Sequence, residues 1–171
     1  FTQGEHWLER RGFNLRAVLD VRAFPRDLAA AWDQTHIPRI PGQRLVILGM
    51  GGSALWDWMS TQDLSHDADP FDGVSRCAAL EVAERFWGDP TPRLLYPGDA
   101  LIPLQQLGRW AGWSVPSPLG LDVSPIFGPW LAFRAAMLTV AALPFSERGP
   151  AVSPCDTCED PPCIRTCPAG A

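Results

Sequence analysis

The sequence predicts a mixed α/β or α+β domain, one sheet covered by helices, followed by a short cysteine-rich segment. Three observations lead there. Segments with helical spacing of apolar residues are interspersed with short apolar runs bearing β-branched residues. Eighteen prolines and fifteen glycines impose short elements and long loops. Four of the five cysteines lie between Cys155 and Cys167. With 171 residues there is room for one domain with a sizeable core, 1–150, and an appendage, 151–171.

The elements follow in order. GEHWLERRGFN reads as a short helix stopped at Gly12. LRAVLDV is a strand, and PRDLAAAWDQ is a helix opened by Pro25 and filled with good helix formers. PRIPGQ is a turn. RLVILGMG is the clearest strand, a short apolar run bounded by glycine. SALWDWMS continues as a helix and DLSHDADPFDG as a loop. VSRCAALEVAERFWG is a helix, because Ala79, Val82, Ala83 and Phe86 repeat at i, i+3, i+4 and i+7 ahead of Gly88. RLLYPG is a strand running into a turn, and IPLQQLGRWAGW is a helix beginning near Pro103. SVPSPLGLDVSPIFGPW reads as irregular, WLAFRAAMLTV as an apolar strand and PFSERGPAVSP as a link to the cysteines.

Composition excludes several chemistries. All fourteen basic residues are arginine, so the chain offers neither a Walker-type phosphate lysine nor a Schiff-base lysine. Net charge is −5 with both signs interleaved, which argues against nucleic-acid binding. No apolar run approaches the ~18 residues of a membrane span, and no secretory segment opens the chain, so a cytoplasmic protein is expected. The first residue is Phe1 and the last follows Cys167 by four, from which a longer natural polypeptide is expected. His6, His36 and His66 show no ligand spacing with one another.

The cysteine spacing is C-x2-C-x4-C-x3-C-P, through Cys155, Cys158, Cys163, Cys167 and Pro168. Soft thiolates on one short loop suit an iron–sulfur cluster or zinc. The bacterial ferredoxin run, C-x2-C-x2-C-x3-C-P, differs by two residues before the third cysteine. Structural zinc sites usually separate two ligand pairs by about 12–20 residues, so this compact spacing favours a 4Fe–4S cluster. In two-cluster ferredoxins the fourth cysteine of a run serves the other cluster. On that pattern Cys155, Cys158 and Cys163 hold one cube and Cys167 a second, both completed beyond residue 171; one site on all four is the alternative. Cys77, inside an expected helix, reads as a small core residue.

Gly49-x-Gly51-x-x-Ala54 lies between a strand and a helix. It fits the dinucleotide fingerprint, but reads first as a tight turn that needs positive φ. No acidic residue is evident at the next strand end; Asp67 and Asp69 sit in a polar loop.

The second half resembles epoxyqueuosine reductases and their relatives. The residues that carry the likeness are Gly112–Trp113, then Pro125, Phe127, Gly128 and Trp130, then Leu138–Thr139, Leu143–Pro144 and the cysteines. SPIFGPWLAFRAAML is also similar to the corresponding turn and strand of a cobalamin-processing family that decyanates vitamin cofactors. Both groups are similar in fold to flavin nitroreductases. The likeness covers roughly 95–171 well and 1–94 loosely. It implies a nitroreductase-like α+β sheet covered by helices, followed by a ferredoxin-type segment. It implies a cobalamin or flavin near Trp113, Gly128 and Trp130, and electrons delivered by 4Fe–4S clusters, two in the full-length chain.

In the reductases an acid stands where this chain has Tyr96, with Asp99 three residues on, and Gly-Lys stands where it has Val115–Pro116. Asp99 reads first as a turn residue after Pro97–Gly98, and as a proton donor only if it faces a pocket. Trp113 stacks on a flat cofactor or packs in the core, and Trp130 reads first as core. Arg134, on an apolar strand, is an anion contact or a structural ion pair. The leading expectation is an iron–sulfur electron-transfer protein working with a redox partner protein. The alternatives are a cobalamin- or flavin-linked reductase fed by the clusters, and a zinc-stabilised binding module.

Overall fold

The computed structural model describes residues 2–64, 68–147 and 151–168. His66 and Asp67 lie outside the described residues. In chain order the elements are α1 (Thr2–Glu9), β1 (Leu15–Leu19), a 3-10 turn (Val21–Ala23), α2 (Arg26–Asp33), β2 (Arg44–Gly51), α3 (Ala54–Met59), α4 (Pro70–Trp87), β3 (Arg93–Tyr96), α5 (Leu104–Trp110), β4 (Val115–Pro116), β5 (Asp122–Val123), β6 (Leu131–Thr139) and α6 (Pro162–Arg165). The main sheet has the order β1-β2-β6-β3 and is antiparallel at every step.

Both faces of this sheet are covered. On one face Val18, Val46, Leu48, Ala135 and Met137 meet Trp7 and Leu8 of α1, Leu55 and Met59 of α3, and Ala79 and Val82 of α4. On the other, Ala17, Leu19, Leu45, Ile47, Ala136 and Leu138 meet Leu28 and Trp32 of α2, Leu107 of α5 and Trp113. A strand buried on both sides cannot alternate apolar with polar, which is why LVILG and AAML read as continuous apolar runs. Each fully buried Leu or Ile contributes about 2 kcal/mol. Ile47 and Leu48, both fully buried, point to opposite layers and tie them to one strand.

The structure departs from the sequence reading in four places. The strand expected over 15–21 ends at Leu19, where the Asp20 side chain accepts the Arg22 N–H and folds the chain into the 3-10 turn. The α4 helix starts one turn before the expected Val74, with Pro70 in its first turn, and stops at Gly88 with φ 71°. The stretch 114–130 contains the β4–β5 hairpin, pairing Val115 with Val123. Arg109 and Ser114 lock that hairpin by hydrogen-bonding to Asp122, whose side chain is only 6% exposed. The Asp122 carboxylate raises the Arg109 pKa, chiefly through these hydrogen bonds. The fourth departure is the link after β6. Ser146 exchanges two hydrogen bonds with Val18, so the chain runs back along the free edge of β1.

Asp89 holds the far end of the sheet. It is 3% exposed and accepts hydrogen bonds from Thr139 Oγ1 at 2.6 Å, Val140 N at 3.1 Å and Thr91 N at 3.1 Å. Burial raises its pKa, but these hydrogen bonds outweigh that and hold the carboxyl below its ordinary value. Replacing Asp89 with Ala strips three donors of their acceptor, for a loss of about 2–3 kcal/mol at neutral pH in urea unfolding. The folded pKa lies below the unfolded value of about 3.9. The carboxylate's contribution is therefore complete above that value and is lost as pH falls through the folded one. The stability gap between wild type and Asp89→Ala should narrow on acidification; a gap independent of pH contradicts this account.

Candidate functional site

Two turns meet at one end of the sheet. The first is the glycine turn that closes β2. The Asn14 side chain clamps Gly51 as a strand neighbour would: Nδ2 donates to Gly51 O at 2.9 Å, and Oδ1 accepts from Gly51 N at 2.8 Å. Gly52, with φ 71°, donates its N–H to Trp130 O at 2.8 Å. A Cβ on Gly49 would stand 2.9 Å from the Trp113 ring, and one on Gly51 would stand 2.1 Å from the Phe127 ring. The space over both glycines thus belongs to aromatic side chains, and α3 behind the turn has only six residues. The glycine pattern is explained by tight aromatic packing rather than by room for a pyrophosphate.

The second turn is Ser124–Trp130, at the head of β6. Ser124 and Gly128 exchange backbone hydrogen bonds of 2.7 and 2.9 Å, with Gly128 at φ 58°. Phe127 turns inward onto Gly51, while Ile126 and Trp130 stand 81% and 74% exposed. An open hollow lies on each side of this turn. One, about 420 Å³, is lined by Leu15, Gly112, Trp113, Ser124 to Phe127, and Ala151 and Val152 from the start of the cysteine-bearing tail. The other, about 490 Å³, lies between Met50, Gly52, Ser53, Trp56 and Trp130. Its two indoles are largely exposed, Trp56 at 59%. Large exposed aromatic surface gathered at one place marks a contact site more often than chance scatter.

The residues singled out from the sequence fare differently. Trp113 is 8% exposed and stacks on Phe133 at 5.9 Å and 20°, so it belongs to the core and also walls the first hollow. Trp130, expected first as core, stands on the surface at the second hollow. Gly128 sets the shape of the turn between them. Arg134 sits at the β-bulge where the register of β2 and β6 slips. Its guanidinium lies 5.4 Å from the Phe71 ring centroid, and its buried Nε has no hydrogen-bond partner. Phe71 in turn stacks on Trp56 at 6.1 Å. Asp99 is exposed in the turn after β3 and lines neither hollow; Tyr96 is half-buried in β3. Cys77 is exposed on α4 rather than packed in the core. Sequence reading missed Met50, Trp56 and Asn14. Trp56 lay inside an amphipathic helix, where an outward tryptophan carries no periodic signal.

The tail carries Cys155, Cys158, Cys163 and Cys167 outside any disulfide, two of them exposed and two half-exposed. Cys158 N donates to Cys155 O at 3.2 Å, Cys163 lies within α6, and Cys167, just after it, donates its N–H to Ile164 O. No residue of α6 is buried. Among the described residues, no three His, Cys, Asp or Glu side chains converge as a metal-ligand set. The type and number of donors suit a thiolate-bound cluster, while their arrangement in this conformation does not form one.

No family model and no curated protein matches this chain. Among solved structures, the Caenorhabditis elegans B12-trafficking protein CblC, a homologue of human MMACHC, is similar to it with a TM-score of 0.54. The alignment covers 91% of this chain and 79% of that one at 13% identity. This establishes a mixed α+β fold of the CblC kind, with its antiparallel sheet and covering helices. The cobalamin-processing side of the sequence resemblance is thereby met at the level of fold. No helix among the described residues is long and apolar enough to cross a membrane.

Gly51 provides a direct check on the site's construction. Gly51→Ala must displace the Phe127 ring, at a cost of about 1–3 kcal/mol in urea unfolding, and should shift the Trp130 emission as the turn moves. A Gly51→Ala variant with unchanged stability and spectrum would show that Phe127 does not occupy that position.

Proposed function

We propose that this chain is a cofactor-handling protein with a CblC-like fold that binds a flat redox cofactor, a corrinoid before a flavin, on the Ser124–Trp130 turn. The observation that carries this reading is the pair of aromatic hollows flanking one rigid turn, in a fold shared with a B12-trafficking protein. A tricyclic flavin ring is of a size to enter either hollow. A corrinoid is larger than either and would lie across the turn, with Trp130 and Trp56 against its apolar face. Among the described residues no histidine lines either hollow, so the chain's contribution there is apolar contact and exclusion of water rather than an imidazole ligand.

The tail belongs to the same proposal. Ala151 and Val152 line the first hollow, and Cys155 follows Val152 by three residues. Three extended residues span about 10 Å, so the thiols begin within that reach of the hollow's rim. A 4Fe–4S cluster on Cys155, Cys158, Cys163 and Cys167, when bound, supplies electrons one at a time. Within the chain, Phe127 and Trp113 hold the turn in place, and the tail's first residues narrow its solvent access. Asp99 is not assigned a proton-transfer role by this reading, since it faces neither hollow.

The test uses the chain prepared without oxygen. Aquacobalamin and FMN are titrated separately against tryptophan emission, and iron and acid-labile sulfide are assayed. Saturable corrinoid binding that weakens about tenfold in Trp130→Ala, a change worth about 1.4 kcal/mol, supports the reading. FMN binding with no corrinoid binding moves it to a flavin protein. Cys163→Ser should lower bound iron; zinc in place of iron, with no sulfide, sinks the cluster part and leaves the turn site standing. Loss of neither ligand in Trp130→Ala and Trp56→Ala would falsify the site.

A further inference from the structure

A third hollow, unused by the reading above, lies among α1, α3 and α4. It holds about 360 Å³ and is lined by Trp7, Arg11, Trp58, Val74, Cys77 and Glu81, among others. Arg11 dominates its chemistry. The guanidinium rests on the Trp7 ring, 3.7 Å from its centroid, and stands 5.8 Å from that of Trp58. Among the described residues nothing accepts a hydrogen bond from this side chain, although it is half-buried. Burial lowers its pKa, ahead of the opposing pull of Glu81. Arg10 and Arg85 add positive potential, and Glu81 is itself engaged by Arg85. The local balance therefore favours an incoming anion.

We infer that this hollow binds a small organic carboxylate with a flat apolar body. A guanidinium presents its N–H groups as a planar fork that matches the two oxygens of a carboxylate. Seating the fork on Trp7 fixes its plane and lowers the entropy lost when the pair forms. Trp58, Val74 and Leu64 offer apolar surface to the rest of the ligand. A phosphate dianion fits less well: the lining offers it one arginine, and Glu81 stands in the same wall. The site is separate from the Ser124–Trp130 turn, so it stands or falls independently of corrinoid or flavin binding.

Benzoate is the probe, with benzamide as its neutral isostere. Benzoate should quench tryptophan emission saturably and bind about tenfold more tightly than benzamide, the worth of one charge-assisted contact. Cys77 is exposed in the same hollow, so benzoate should slow its alkylation by iodoacetamide, read at the Cys77 peptide by mass spectrometry in the intact chain. Arg11→Lys keeps the charge but loses the fork, and should weaken benzoate several-fold while leaving benzamide unchanged. If Arg11→Lys does not fold, the benzoate-to-benzamide ratio and the Cys77 protection of the wild-type chain decide alone. Equal affinity for acid and amide, no protection of Cys77, or a folded Arg11→Lys indifferent to benzoate would each overturn the inference.

Discussion

The pairing of β2 with β6 is the constraint on which the rest depends. It runs from Arg44 opposite Thr139 to Gly51 opposite Leu131, and the hydrogen bond from Gly52 N to Trp130 O adds one rung beyond it. That last rung joins two turns some eighty residues apart in sequence. Everything proposed for the cofactor site follows from their juxtaposition, because each hollow takes walls from both turns or from the elements beside them. The bulge between Leu48 and Gly49 adjusts the ladder just before this end. Bulges bend a strand and re-aim its side chains. Here the bulge falls at Arg134, which leaves the alternation of its neighbours and lies over Phe71 beside the α4 layer.

Glycine and aromatic residues at this end are two halves of one solution. Trp113 reaches the sheet only because Gly49 has no side chain, and Phe127 only because Gly51 has none. Gly108 does the same for Phe133, whose ring would lie 2.4 Å from a Cβ there. Three large rings thus press against three bare backbones, and Trp113 and Phe133 stack on one another. Dense packing of this kind tolerates little change in volume. It supplies a rigid floor on which Trp56 and Trp130 can stay exposed without the turn collapsing onto them.

Sequence reading recovered the elements whose cause is local. The strand RLVILGMG and the helix ending at Gly88 carry their own signals, apolar continuity in one and a 3.6-residue period with a glycine stop in the other. It fell short where the cause lies elsewhere in the chain. The β4–β5 hairpin is two residues a side and is held by Arg109 reaching Asp122, which no local pattern announces. The glycine fingerprint was legible as a tight turn but not as packing space, since Phe127 lies far away in sequence. Trp130 illustrates the same limit in reverse. An aromatic residue between proline and an apolar strand reads as core, yet the turn's reciprocal Ser124–Gly128 hydrogen bonds point it outward.

The tail and the core obey different physics. In the core, buried surface fixes side chains whether or not anything binds. Between Ala151 and Pro168 every described residue is exposed or half-exposed, and local order comes from short backbone hydrogen bonds such as Cys158 N to Cys155 O. A segment with no buried side chain has little apolar free energy with which to select one arrangement of four thiols. In small metal-binding segments it is the metal–thiolate bonds that supply folding free energy, so the ligand set forms as the metal binds. Among the described residues, what fixes this segment is its anchorage. Ser146 ties the preceding link to the edge of β1, and Val152 lies against the Trp113–Phe127 hollow. The core thus decides where the thiols are delivered.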